Sequence, residues 1–212
     1  MFALEVVEQA ASTNDELKRR AEAGAGEVAL MARRQTAGRG RMGRLWTAPA
    51  GNLNLSVLLR PGPVRSPGHW SLMCGVALAE AVRAARPDAD VRLKWPNDVL
   101  LDGGKLAGIL LEAGGDWVVA GFGVNLVAAP VLDRPTACLG VPLGPEAFAE
   151  ALLGRVAAWR DRMAAEGFRP VRDAWLASGP APGAALPEGT FAGLADDGAL
   201  LVTRDGTMLA VR

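Results

Sequence analysis

The chain of 212 residues holds one histidine, two cysteines and no tyrosine. A single histidine, His69, excludes a histidine-based metal cluster. Cys74 and Cys138 have no Cys-x-x-Cys partner and read as reduced core thiols, which excludes a disulfide framework. No apolar run approaches the roughly 18 residues of a membrane span. The start, Met1-Phe2-Ala3-Leu4-Glu5, lacks the basic and apolar regions of a signal peptide. From these absences we expect a cytoplasmic protein with no membrane partner. Length sets a prior of roughly one to two domains. A chain of this size buries about 70% of its unfolded surface without a covalent staple.

Lysine, asparagine and isoleucine are scarce too. Lys18, Lys94 and Lys105 stand against 20 arginines, Ile109 is the single isoleucine, and there are five asparagines. A coding bias against A/T-rich codons thins these residues and tyrosine alike. Lysines and asparagines that persist against it are candidates for required chemistry. Asn14, Asn52, Asn54, Asn97 and Asn125, and all three lysines, lie in the first 125 residues. Turn and cap duty is the plain alternative for each.

Arginine, by contrast, is concentrated. Net charge is zero, yet between Val28 and Ala79 there is no Asp or Glu and there are seven arginines, at 33, 34, 39, 41, 44, 60 and 65. Such a stretch carries a local field suited to an anionic ligand. Its sharpest part is Gly38-Arg39-Gly40-Arg41-Met42-Gly43-Arg44. Glycine lets the backbone approach a ligand closely, and arginine presents a planar donor fork to carboxylate or phosphate. No Gly-Lys-Ser/Thr follows, so this is not a Walker A loop. Arg/Gly segments also bind single-stranded nucleic acid, but no aromatic side chain interleaves with these arginines to stack a base.

Periodicity outlines the elements. Residues 2–9 alternate as a strand. Ser12-Thr13-Asn14-Asp15-Glu16 then opens a helix to about residue 23, with Thr13 and Glu16 at capping-box spacing. Strands are expected at 28–32, 53–59, 91–95, 99–101, 106–113 and 117–124, with a helix at 70–86. Asp102-Gly103-Gly104 reads as a hairpin turn. Helical patterns cover 145–166 and 171–177, a Pro/Gly/Ala linker covers 178–187, and 190–212 alternates as a short β-module. The fold class is α+β: a mixed, largely antiparallel sheet with helices on one side, plus the small C-terminal β-module. The expected domains are 1–177 and 178–212.

A second cluster is Lys94-Trp95-Pro96-Asn97-Asp98, ahead of Lys105 to Glu112. Pro96 ends a strand and puts Asn97 and Asp98 in a turn. Asp98 is suited to hold magnesium together with phosphate oxygens. Lys105 follows a tight turn that folds it back toward Lys94. Gly121-Phe122-Gly123-Val124-Asn125 has only part of a dinucleotide fingerprint. Two glycines on a strand instead mark the close approach of a ligand or another backbone.

These pieces together resemble the biotin protein ligases over about residues 2–128. The resemblance rests on Ser12-Thr13-Asn14, on Gln35-Thr36-Ala37 running into 38–44, on Trp46, Gly51 and Ser56, and on 94–98, 105–112 and 121–125. Motif order and spacing are more specific than any one motif. The resemblance implies a class II synthetase-like fold with an SH3-like C-terminal module, and ATP and magnesium as cofactors. It implies that biotin and ATP form biotinyl-5′-adenylate, and that a lysine of a biotin carboxyl carrier protein takes the biotinyl group. Biotin-binding roles fall on Ser12, Thr13, Asn14, Gln35, Arg39, Gly40, Arg41 and Lys105. Catalytic roles fall on Lys105, Arg41 and Lys94, and an ATP and magnesium region on Arg44, Trp46, Asn97, Asp98 and Asn125.

Elementary chemistry agrees with that assignment. A carboxylate must meet a phosphate, so fixed cations are needed more than a protein nucleophile. Met42 stands where relatives often carry arginine. Many relatives have an N-terminal helix-turn-helix, whereas this chain starts at the first catalytic strand, so no DNA partner is expected. No ATP contact is assigned to the short C-terminal module, and a homodimer is left open. Two readings compete. A lipoate or octanoate protein ligase shares the fold, but its ligand lacks the ureido ring. A non-catalytic RNA-binding module leaves Asn97, Asp98 and Lys105 without a purpose.

Overall fold

A computed structural model of the chain describes residues 2–64 and 66–212. Met1, and Arg65 of the arginine-rich stretch, lie outside the described residues.

Seven strands form the main sheet: β1 (Leu4–Ala10), β2 (Val28–Gln35), β3 (Leu53–Leu59), β4 (Val91–Lys94), β5 (Asp98–Leu101), β6 (Gly104–Gly114) and β7 (Trp117–Val124). Their spatial order is β1-β2-β3-β7-β6-β5-β4. β1 and β2 run parallel and the other neighbours antiparallel. A parallel pair needs a crossover rather than a tight turn, and helix α1 (Thr13–Glu22) supplies it. Antiparallel neighbours need only two residues. Asp102 and Gly103 join β5 to β6, both with left-handed backbone at φ 49° and 82°, as a two-residue hairpin turn demands. The α+β class with a mixed, largely antiparallel sheet is what the sequence led us to expect.

β3 and β7 begin and end where the sequence places them. β2 runs three residues further, to Gln35. Arg33 and Arg34 there are exposed, so apolar content stops before the hydrogen-bonded ladder does. Asp98 also belongs to a strand, β5, and not to the turn.

Helix α2 (Pro67–Ala85) starts earlier than its apolar pattern, with proline in its first turn, where the missing N–H has no partner to lose. It is buried between the sheet and two further helices, α3 (Pro145–Glu166) and α4 (Arg169–Ser178). Cys74 sits in this core, and burial pushes its thiol up to about 12. These three helices are the layer expected on one side of the sheet. α1 is the exception. Its Leu17 and Ala21 pack on Leu30, Leu58 and Val119, while the alternate residues Met31, Val57 and Ala120 enter the other core. Strand side chains point alternately to opposite faces, so α1 covers the second face.

Ser12, not Thr13, caps α1: its Oγ accepts the Asp15 N–H at 3.3 Å. Thr13 is thereby free to face the sheet.

The C-terminal strands β8 (Ala185–Leu186), β9 (Gly189–Leu194), β10 (Leu200–Arg204) and β11 (Thr207–Val211) form a second antiparallel sheet. Phe191, Leu194, Leu200 and Val202 join the core of the main sheet. The 196–198 turn docks through Trp95 Nε1, which donates to Gly198 O at 3.2 Å, and through His69 Nε2, 2.7 Å from Asp196 O.

Candidate active site

A cavity of about 380 Å³ opens beside the N-terminus of α1. Its floor is strand backbone, with Gly108 on β6 paired to Gly123 on β7. A Cβ at Gly121 would stand 2.1 Å from Asn14 Oδ1, and one at Gly123 2.2 Å from the Trp46 ring. The two glycines of β7 are therefore seats for Asn14 and Trp46. This is the close approach that glycines on a strand signal.

Around that floor lies a nearly buried polar set. The Thr13 N–H donates to Gln35 Oε1 at 2.8 Å, and Thr13 Oγ1 lies 3.1 Å from the same oxygen. Thr13 Oγ1 is also 2.7 Å from Ser56 Oγ, which donates to Asn14 Oδ1 at 2.7 Å. Gln35 Nε2 donates to Asn54 Oδ1 at 3.2 Å. The two hydroxyls have two protons for three contacts, so the set is rich in acceptors and suits the N–H groups of a ligand.

Cations line the same cavity: Arg41 and Arg44 from the loop, Lys94 from β4, Lys105 from β6, and Arg134. Lys105 Nζ lies 2.5 Å from Asp98 Oδ1, and both side chains are only 14% exposed. Burial holds the Lys105 ammonium below the usual lysine range, although Asp98 pulls it back up. Arg134 and Lys94 add to the lowering.

The arginine-rich stretch is not a uniform positive field, because carboxylates from distant segments answer it. Arg33 pairs with Glu8 and Glu146, Arg60 with Asp116, and Arg39 with Asp15 and Glu112. Among the described residues Arg41 and Arg44 carry no ion pair, and they are what the loop leaves free for an anion.

A family model described as the biotin/lipoate A/B protein ligase family matches residues 6–124. The chain belongs to that family. A biotin--[acetyl-CoA-carboxylase] ligase of Paracoccus denitrificans is 39% identical over 216 residues, 90% of this chain and 90% of that protein. A ligase of the same name from Mycobacterium tuberculosis is 47% identical over 148 residues, 66% of this chain and 56% of that protein. The solved biotin protein ligase of Aquifex aeolicus in complex with biotin and ATP has a TM-score of 0.87 at 25% identity, covering 100% of this chain and 96% of that one.

In this member of the biotin/lipoate ligase family, one cavity gathers Ser12, Thr13, Asn14, Gln35, Arg39, Gly40, Arg41, Arg44, Trp46, Lys94, Asn97, Asp98 and Lys105. Asn125 stands apart. Its Nδ2 donates to Ala137 O at 3.1 Å and Lys105 O at 3.4 Å, and the residue is 1% exposed. Asn52 braces the backbone at Val127 and Ala128 in the same way. Sequence reasoning missed Arg134 and Glu188, both in the lining. Arg134 arrives because the Lys105 N–H donates to Pro135 O at 3.0 Å, and Glu188 arrives from the C-terminal sheet. Neither lies in a motif, and only the folded chain brings them near.

Proposed function

We propose that the protein is an ATP-dependent biotin protein ligase. It forms biotinyl-5′-adenylate from biotin and ATP and passes the biotinyl group to a lysine of a biotin carboxyl carrier protein. One observation supports this most: a single cavity joins a buried set of hydroxyls and amides to a cluster of lysine and arginine.

A urea presents N–H donors and a carbonyl acceptor, which the Thr13, Gln35 and Ser12 groups match. In the first step a carboxylate oxygen attacks the α-phosphorus and the bond to pyrophosphate breaks. Both partners are anions, and Lys105 and Arg41, which line the same cavity, offset their repulsion. In the second step the acceptor amine attacks the acyl carbon, loses its proton, and AMP leaves. Lys94 and Arg44 add positive charge beside the phosphates, and Trp46 offers a ring face.

Magnesium fits this lining. It binds through one or two carboxylates plus substrate phosphates rather than through an all-protein cage. Asp98 supplies one carboxylate, and among the described residues no group of three or more His, Cys, Asp or Glu gathers. Asp98 would hold the ion, which would neutralise phosphate charge when bound. We assign Asn125 to bracing the strand that carries Lys105.

Residues 1–177 act as the catalytic domain and 178–212 as a cap that contributes Glu188. The reading places the protein in the cytoplasm, working on a carrier protein and not on DNA. Among the described residues no helix is long and apolar enough to cross a membrane. The main sheet ends on β1 and β4, edges available for pairing in a homodimer. The polar ureido set favours biotin over lipoate. Incubation with ATP, magnesium, a carrier domain and either labelled biotin or labelled lipoate tests the assignment. Label from biotin alone should reach the carrier; label from lipoate alone would overturn the substrate.

A further inference from the structure

Glu112 takes no part in the roles above, yet it touches two of them. It lies on β6, and its side chain is 19% exposed. Asn14 Nδ2 donates to its Oε2 at 3.1 Å. Arg39 Nη2 lies 3.4 Å from each of its oxygens and also pairs with Asp15 in the first turn of α1. Lys18 Nζ stands 3.8 Å away.

We propose that Glu112 is a positioning residue for the ligase reaction. It fixes the Asn14 amide in the floor and holds the Gly/Arg loop down through Arg39, so that Arg41 is presented to the reacting anions. The resemblance assigned Arg39 to the ligand, but two carboxylates already neutralise it. The alternating arginines divide the work: Arg39 anchors and Arg41 acts.

Two further observations support this. Besides the Trp46 ring seated over Gly123 at its far end, the loop has few other holds. Gly40 N–H donates to Arg44 O at 2.7 Å and Trp46 N–H to Gly38 O at 2.9 Å. Met42 and Leu45 are 85% and 82% exposed, so they add no apolar packing. Single exposed ion pairs are weak, but Asp15, Glu112, Arg39 and Lys18 form a network around a half-buried carboxylate. Asn14, meanwhile, has its two ends fixed by Ser56 and by Glu112 together with Leu110 O. Removing the charge on Glu112 leaves Arg39 with Asp15 as its one carboxylate partner and loosens the loop, and the ligand must then order it on binding, which weakens binding more than chemistry.

The kinetic half of the test rests on the ligase reading; the structural half does not. Amide hydrogen exchange over residues 38–46 is measured without ligand in the native protein and in Glu112→Gln, which keeps size and an acceptor for Asn14. Exchange should quicken by about fivefold or more as the loop is released. In biotin-dependent pyrophosphate exchange, KM for biotin should rise about tenfold while kcat changes less than about twofold. Arg39→Gln, at an exposed loop position, should quicken exchange alike and serves if Glu112→Gln does not fold. The double variant should be no worse than either single one. Unchanged hydrogen exchange, additive effects, or a loss confined to kcat would overturn the proposal. A native protein with no biotin-dependent pyrophosphate exchange would sink the ligase reading, while hydrogen exchange still decides the anchor.

Discussion

Lys105 is a largely buried cation paired with one carboxylate, Asp98. Burial lowers its pKa and Asp98 raises it. A lysine so lowered loses its proton, and with it the charge we propose offsets two anions, at a lower pH than an exposed lysine does. Removing Asp98 removes the raising influence. In Asp98→Asn the alkaline limb of kcat/KM should therefore move to lower pH, since that profile reports groups of the free enzyme. A limb that stays in place would show that Lys105 is not the titrating group. Gly121 makes a second test. A methyl there would stand 2.1 Å from Asn14 Oδ1, which Ser56 and the strand hold in place. Gly121→Ala should weaken biotin binding by about 1–3 kcal/mol through this overpacking, as read by titration calorimetry. An unchanged Kd would take Asn14 out of the floor. Scarcity in the sequence found residues that matter at this scale but not their duties. Lys94, Lys105, Asn14 and Asn97 reach the cavity, while Asn52 and Asn125 brace backbone and Lys18 stands by Glu112.

Elements were legible where apolar content and turn residues coincide. β3 and β7 are buried on both faces and bounded by glycine, asparagine, aspartate or arginine, so their ends show in the sequence. The end of β2 does not, because Arg33 and Arg34 continue the ladder while facing out. The face chosen by α1 is hidden too: an amphipathic pattern says that a helix has a buried side, not which side of a sheet receives it. The arginine-rich stretch misled for a related reason. Its partners Glu8, Asp15, Glu112, Asp116 and Glu146 are distant in sequence and adjacent only after folding. Asn52 shows what ties the start of β3 to the segment that follows β7. Its Oδ1 accepts from Val127 N at 3.0 Å and Ala128 N at 3.3 Å, and its Nδ2 donates to Ala128 O at 2.7 Å. Asn52→Ala should cost about 1–3 kcal/mol, because buried backbone groups lose their partners. Urea unfolding measures this, and a negligible change would mean that the 125–128 segment holds itself.

At the scale of the whole molecule the two sheets share one core. Phe191 is 2% exposed and its ring centroid lies 6.4 Å from that of Trp175 on α4. The sequence showed a short module after a Pro/Gly linker but not this docking, because the contacts join residues far apart in the chain. Calorimetric unfolding should show a single transition, with equal calorimetric and van't Hoff enthalpies. Phe191→Ala should destabilise the entire protein by about 3–5 kcal/mol, the range for a lost buried phenylalanine. Two separated transitions would contradict a shared core.

The proposed site joins biotin's carboxylate to ATP in one cavity, with Lys105 and Arg41 between them. Biotin-dependent exchange of labelled pyrophosphate into ATP reads that step without the carrier protein. The native protein should catalyse it. Lys105→Ala and Arg41→Ala should each lower kcat/KM by about 100-fold or more, the scale of losing one pre-placed charge from a transition state. Full activity in Lys105→Ala would contradict the mechanism.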